Sequence, residues 1–386
     1  MLDGVRGLAI AMVLVFHFVG NTLATNRFER IVVNIANYGS YGVDLFFILS
    51  GFLITGVLYE GWSKPYYFRN FFMRRALRIF PLYYGVLALL FFVAPRIPVL
   101  RGETLSFLAE RQAWAWLYGV NIYIARADGW SFSYLDHFWS LAVEEHFYLV
   151  WPLIVFLLAR RPRSLLIACL AISLGAMLAR LLWSLLGFDW WPAYVLTPFR
   201  LDGLALGAFL AVAVRQPHGR TWIGRALPAV AATPAAILLA TFIWAALMPQ
   251  HGLALLLPLR AIAFEVLLAC LLMAAFLAPA ASLLARVLGS RVLVLLGTYS
   301  YGLYVYHHFI SYYLTTNRLE LQLGERLGSH AAAVALQAVV GVALSLAVAY
   351  LSYEHYEKRF LALKPRFALP APAIDRPVSA ASAAGS

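Results

Sequence analysis

Charge is scarce in this chain, and the scarcity decides its class. Only 12% of its 386 residues are Asp, Glu, Lys or Arg, while 63% are hydrophobic. So little charge cannot solvate the surface of a water-soluble domain, and a mean hydropathy of +0.78 belongs to a polytopic membrane protein. Cysteine is nearly missing as well. Cys169 and Cys270 both fall inside apolar runs, which excludes a disulfide framework or thiol metal site and leaves two small core residues. There is no Gly-rich phosphate loop, no internal repeat and no second soluble domain. A basic run before the first apolar segment is also lacking, so that segment is read as retained rather than as a signal peptide.

What charge there is has one dominant sign, a formal net +12. It does not point to nucleic acid, because the basic residues sit in short loops between apolar runs rather than in a stripe. Those runs predict about ten helices, over 5–20, 40–59, 78–95, 137–159, 164–186, 199–214, 227–247, 258–277, 291–314 and 332–352. Every second connection is basic. Lys64, Arg69, Arg74, Arg75 and Arg78 follow the second run, Arg160, Arg161 and Arg163 the fourth, and Arg215, Arg220 and Arg225 the sixth. Arg286 and Arg291 precede the ninth, and Lys358, Arg359, Lys364 and Arg366 follow the tenth. The alternate loops are nearly neutral. By the positive-inside rule this predicts an all-α polytopic bundle of about ten transmembrane helices with both termini cytoplasmic. Residues 1–367 form one membrane domain in this reading, and the Pro/Ala/Ser-rich stretch 368–386 is a disordered tail. The long non-cytoplasmic connection 96–136 holds Trp114, Trp116, Tyr118, Tyr123, Trp130, Phe132 and Tyr134. An aromatic belt at the headgroup level is the preferred reading of these, a stacking platform for a sugar the other. The stretch 105–124 has the pattern of an interfacial or re-entrant helix.

Ionisable residues inside apolar spans are costly and mark functional sites by default. Arg6 and His17 stand eleven positions apart in the first span, about three helical turns and so on one face, roughly 16 Å apart. Asp44 opens the second span, and His17 is its expected partner: a His–Asp pair fixes an imidazole tautomer and raises its basicity. Arg75 and Arg78 share a helix face at the start of the third span, beside Arg74, and guanidinium forks suit phosphate oxygens; a stop-transfer cluster facing lipid phosphates is the plainer reading. In DHFWSLAVEEHFYLVWPL, Ser140 and Glu144 share a face with His137, and the adjacent Glu144 and Glu145 are expensive in an apolar run. A metal site from His137, Glu145 and His146 has no recognised spacing, so no metal is expected. Arg200 and Asp202 read as a local ion pair, and Gly203 with Gly207 as a GxxxG packing face. His307 and His308 fall in the outer half of the ninth span, and Glu354 and Glu357 close the tenth as structural groups.

The segments LDGVRGLAIAMVLVFH, GVDLFFILSGFLIT, RRALRIFPLYY, FWSLAVEEHFYLVWP, RLDGLALG and YSYGLYVYH follow one another over nearly the whole chain, and the sequence resembles acyltransferase family 3 of integral membrane O-acyltransferases. The resemblance implies transfer of an acyl group, acetyl by preference, from acyl-coenzyme A to a hydroxyl of a surface glycan, lipid-linked saccharide or similar acceptor. It implies a multi-pass protein of the bacterial inner membrane, in contact with lipid and needing no nucleic acid. The family's Arg-x10-His pattern falls on Arg6 and His17, its Arg-x-x-Arg on Arg75 and Arg78, its membrane aspartate on Asp44 and its acidic pair on Glu144 and Glu145. His146 stands where the family more often has Gln. The resemblance therefore implies donor binding by Arg6, Arg75 and Arg78, with catalysis by His17, Asp44, Glu144 and Glu145. Many members carry a further helix and a C-terminal hydrolase-like domain, and this sequence ends after the tenth span. A transporter or flippase of a polysaccharide precursor is the competing class, since buried charges also line translocation paths.

Overall fold

The computed structural model describes residues 1–98, 101–247 and 253–367, so the expected tail at 368–386 lies outside the described residues. Regular structure among them is entirely helical. In order come α1 (Leu2–Val15), α2 (Arg27–Asn37), α3 (Gly42–Gly61) and α4 (Tyr67–Ala88). Three short helices follow, α5 (Glu103–Glu110), α6 (Gln112–Trp116) and α7 (Val120–Ala127), then α8 (Phe138–Leu158) and α9 (Pro162–Leu185). The rest are α10 (Trp190–Val195), α11 (Thr197–Ala213), α12 (Gly219–Leu247), α13 (Leu253–Leu277), α14 (Leu283–Leu288), α15 (Arg291–Thr298), α16 (Ser300–Thr316), α17 (Leu319–Leu327), α18 (His330–Ser352) and α19 (Lys358–Leu361).

Nine helical stretches among the described residues are long and apolar enough to cross a membrane. The difference from ten lies at 291–314. That expected span is two helices meeting at Tyr299, the longer of 17 residues. The reason is a close crossing. Gly297 of α15 lies so near α1 that a Cβ there would sit 1.8 Å from the Asp3 carbonyl oxygen. Ser300 then opens a new helix, its hydroxyl donating to the Gly297 carbonyl at 2.9 Å.

Two further elements depart from the sequence pattern. Residues 27–37 form α2, capped by Asn26, whose side chain accepts the Glu29 N–H at 2.9 Å. Its exposed Phe28, Ile31 and Ile35 make one apolar stripe, the form of a helix lying on a membrane surface. The region expected as one helix over 105–124 is α5, α6 and α7, and much of its aromatic complement turns inward rather than into a belt. Tyr118 stacks on Tyr83 of α4 with ring centroids 4.2 Å apart, Trp116 stacks on Tyr84, and Phe132 is fully buried. The Tyr83 hydroxyl fixes this docking by donating to the Ala115 carbonyl at 2.7 Å.

The centre of the bundle is the pairing of α3 with α11, where the GxxxG face packs as expected. A Cβ on Gly207 would lie 2.0 Å from the Ile48 carbonyl oxygen, and one on Gly51 would lie 1.9 Å from that of Leu204. Both backbones approach because neither carries a side chain at the crossing. Beside this seam lies a buried charge network. Arg200 binds Asp44 at 2.5 Å, while Arg180 of α9 bridges Asp202 at 2.5 Å and Glu265 of α13 at 3.0 Å. The expected Arg200–Asp202 pair is therefore replaced by pairs that cross between helices, because residues two apart on α11 point to opposite sides, one at α3 and the other at α9. Cys169 and Cys270 are buried free thiols in the core.

Candidate active site

Arg6 on α1 and Arg75 and Arg78 on α4 converge. The expectation placed the arginines at the mouth of the third span, but α4 begins at Tyr67 and carries them inside the helix. With Arg74 and Lys364 they line a basin of about 350 Å³, alongside Asp3, Thr298 and Tyr353. Arg6 donates to Asp3 at 2.7 Å, and Arg74 reaches the Phe367 carbonyl at 3.5 Å, tying the turn that presents Lys364 to α4. Burial, then the guanidinium groups of Arg78, Arg75, Arg74 and Arg6, push Lys364 down to about 7. Four guanidinium groups and the Lys364 amine against one carboxylate make an anion site.

The same three arginines also line a narrower cavity of about 150 Å³ deeper in the bundle. Its other walls include Ser50, Ser140, Glu144, Glu145, Tyr148, Tyr301 and Tyr304. Arg75 lies over the Tyr148 ring at 5.5 Å and Arg78 over the Tyr301 ring at 5.8 Å, so aromatic faces help to hold the guanidinium groups. Glu145 leaves Oε1 buried without a hydrogen bond.

Towards the other end of the bundle lies a third cavity, of about 390 Å³, lined by His17, Asp136, His137, His308, Trp130, Trp139, Tyr194 and Arg318 among others. His17 sits where α1 widens into a π turn at Phe16–Gly20, a distortion frequent at functional sites. Its Nδ1 lies 3.0 Å from the Val13 carbonyl oxygen and 3.3 Å from Nε2 of His307. The His308 ring is 5.0 Å from that of His17 and stacks on His137 at 4.6 Å. His137 is anchored in turn by the Val305 carbonyl, 3.1 Å from its Nε2. Burial pushes Asp136, just ahead of α8, up to about 7, against the opposing pull of the Phe132 N–H that it accepts at 2.6 Å. Val43 and Tyr304 line both the second and the third cavity and form their common wall. The Tyr304 hydroxyl donates to the His137 carbonyl at 3.0 Å and pairs with the Ser140 hydroxyl.

Six of the seven expected site residues thus divide between two cavities, and Asp44 lines neither. Arg6, Arg75, Arg78, Glu144 and Glu145 share one cavity; His17 occupies another. In place of the expected His17–Asp44 pair, Asp44 binds Arg200 and His17 is surrounded by imidazoles. Asp44 directly follows the shared wall residue Val43 on α3 but faces α11, where a guanidinium outcompetes a neutral imidazole for a buried carboxylate. The trio His137, Glu145 and His146 separates as well, His146 pairing with the Thr197 hydroxyl at 2.7 Å. Reasoning from the sequence missed Tyr304, Asp136 and Lys364 as cavity residues, and Arg180 and Glu265 as a charge pair. Arg180 and Glu265 carry a visible signal, the one charge within the apolar run 164–186 and the one acid within 258–277.

The sequence matches the acyltransferase domain family over residues 1–354. It is 30% identical over 331 residues to peptidoglycan O-acetyltransferase OatA of Listeria monocytogenes, covering 83% of this chain and 50% of that protein. It is 27% identical over 341 residues to O-acetyltransferase OatA of Staphylococcus aureus, covering 83% of this chain and 52% of that one. A putative peptidoglycan O-acetyltransferase, YrhL of Bacillus subtilis, is 31% identical over 192 residues, 46% of this chain and 28% of that protein. The chain thus spans about half or less of the length of these curated relatives. No solved structure matches it. A family match running from the first residue to the last long helix, across Arg6, His17, Asp44, Arg75, Arg78, Glu144 and Glu145, places this chain in acyltransferase family 3.

Proposed function

We propose that residues 1–367 act as a membrane O-acyltransferase domain in the bacterial plasma membrane, moving an acyl group from acyl-coenzyme A to a hydroxyl of a glycan. Acetyl is the favoured group and peptidoglycan the favoured acceptor, as the names of the relatives suggest. The observation that carries the proposal is the run of three cavities with shared walls: cationic at one end, imidazole-lined at the other. The basin of Arg6, Arg74, Arg75, Arg78 and Lys364 suits the phosphates of the donor and faces the cytoplasm in this reading. The 150 Å³ cavity suits its slender pantetheine arm, and the cavity of His17, with Trp130 and Tyr194, suits a sugar. Glu144, Glu145 and Tyr304 position the arm and the thioester in this arrangement. Asp44 holds the scaffold through Arg200 rather than touching the imidazole.

In the proposed reaction Nε2 of His17 takes the proton of the acceptor hydroxyl as its oxygen attacks the thioester carbonyl. The C–O bond forms, the C–S bond breaks, and the proton passes from the imidazolium to the departing thiolate. The covalent variant, with an acyl-histidine formed first, uses the same nitrogen. The competing transporter reading predicts movement of substrate without thioester consumption.

The test is release of free thiol from acetyl-coenzyme A by the protein in nanodiscs, with and without glycan acceptors. Wild type should release thiol, and Arg75→Ala/Arg78→Ala should raise KM for the donor about tenfold to a hundredfold, the loss of two charge-assisted contacts. A well-folded wild type that neither binds the donor nor releases thiol would favour the transporter. Lys364 adds a pH signature. Free, it titrates near 7, and a bound phosphate holds the proton on, so donor affinity should be full below that pH and weaken as pH rises through it. Measured between about pH 7 and 9, where phosphate stays ionised, KM should climb in wild type and remain flat in Lys364→Met.

A further inference from the structure

His307 lies behind His17, fully buried and outside the lining of the cavity, and has no part in the reaction as drawn above. Its hydrogen bonds nevertheless fix which nitrogen of His17 is basic. Nδ1 of His307 lies 2.8 Å from the Tyr304 carbonyl oxygen and 3.0 Å from that of Leu303. Two carbonyl oxygens accept only, so this nitrogen carries the hydrogen. In the neutral ring Nε2 of His307 is then a bare acceptor, and it faces Nδ1 of His17 at 3.3 Å. Nδ1 of His17 faces a second acceptor, the Val13 carbonyl at 3.0 Å. Placed between two acceptors, it must be the N–H nitrogen. The lone pair of His17 is left on Nε2, and the ring itself lines the cavity.

We propose that His307 is the positioning residue of the His17 base: it shares the Nδ1–H of His17 with the Val13 carbonyl, reinforces the Nε2-basic tautomer and orients the ring at the acceptor hydroxyl. The inference rests on His17 being the base. A neutral imidazole here takes the place that a carboxylate takes in the familiar triads, and a buried neutral acceptor avoids placing a further charge in the bilayer. A shared metal ion does not suit this pair. Both nitrogens of His307 and Nδ1 of His17 are already committed to hydrogen bonds, and 3.3 Å is a hydrogen-bond separation that leaves no room for a cation bound to both at about 2.0–2.1 Å. Tyr304 joins the two halves of the arrangement, since its carbonyl anchors His307 while its hydroxyl stands in the wall between the cavities.

The test compares His307→Leu, His307→Phe and His307→Gln with His17→Ala in nanodiscs, reading kcat, KM for acetyl-coenzyme A and melting temperature. The apolar variants remove the side-chain acceptor and leave Nδ1 of His17 with the Val13 carbonyl alone; glutamine restores an acceptor at nearly the same place. Either apolar variant that inserts and folds should lose about 10-fold to 100-fold in kcat, part of the ~10²–10⁴-fold that general-base catalysis supplies, with KM unchanged. His307→Gln should recover to within several-fold of wild type. Wild-type kcat in an apolar variant, or equal loss in glutamine and apolar variants of equal stability, overturns the positioning role while His17→Ala remains inactive. Full activity in His17→Ala overturns the base assignment itself and is distinguished by that variant alone.

Discussion

His17→Ala is expected to lower acyl transfer by about 10²–10⁴-fold while leaving donor binding intact, the range that a positioned general base contributes. The split follows from geometry. The residues proposed to hold the donor line two cavities that His17 does not touch, and Val43 and Tyr304 stand between. Removing the imidazole should therefore reduce kcat and spare KM for acetyl-coenzyme A, the reverse of the pattern expected for Arg75→Ala/Arg78→Ala. Single-turnover thiol release and equilibrium binding of the donor, measured on both variants, check this directly. Loss of binding in His17→Ala would mean that the two cavities are not energetically separate. A wild-type rate would remove His17 from the chemistry.

The second large effect is on stability. Arg200→Met should destabilise the bundle by about 3–5 kcal/mol, the cost of leaving one member of a buried ion pair uncompensated. Both side chains are nearly inaccessible, at 3% and 11%, so solvent does little to screen the loss. The rings of Phe47, Trp139 and Tyr194 surround the Arg200 guanidinium at 5.4–5.6 Å and cannot rehydrate Asp44 once it is gone. Replacing both partners, as Arg200→Met with Asp44→Leu, should recover most of the loss, because a well-packed apolar pair is often as stable as a buried salt bridge. Thermal unfolding of the two variants in nanodiscs measures the difference. Near-wild-type activity in the double variant would confirm Asp44 as a scaffold residue; an inactive but stable double variant would return it to the chemistry.

The sequence made the class of fold legible because the bilayer imposes it. Apolar runs of fixed length and the choice of glycine at 203 and 207 are local facts, and apart from the run 291–314 both appear in the structure as read. Partner choice is different. His17 and Asp44 both had to be satisfied, and nothing local distinguishes an imidazole on α1 from a guanidinium on α11 as the partner of Asp44. That is decided by which faces of α1, α3, α11 and α16 meet. The break at Tyr299 was likewise hidden, since 291–314 holds no proline to mark it and the interruption comes from α1 crossing at Gly297. His307 and His308 were visible as polar residues in a span, but the orientation of His307 depends on two backbone carbonyls that have no sequence signature.

The wall at Val43 and Tyr304 has a consequence for permeability. A passage wide enough for an acyl chain and lined with ionisable groups would, if open throughout, short-circuit the proton gradient of the membrane that holds it. Here the water-accessible spaces on either side end on the same two side chains, and the Tyr304 hydroxyl is already bound to Ser140 and the His137 carbonyl. Two side chains thus stand between two vestibules, a wall expected to keep the resting protein from conducting. Proton leakage through vesicles carrying it should stay at the background of protein-free lipid, and Tyr304→Ala, which removes the larger half of the wall, should raise it.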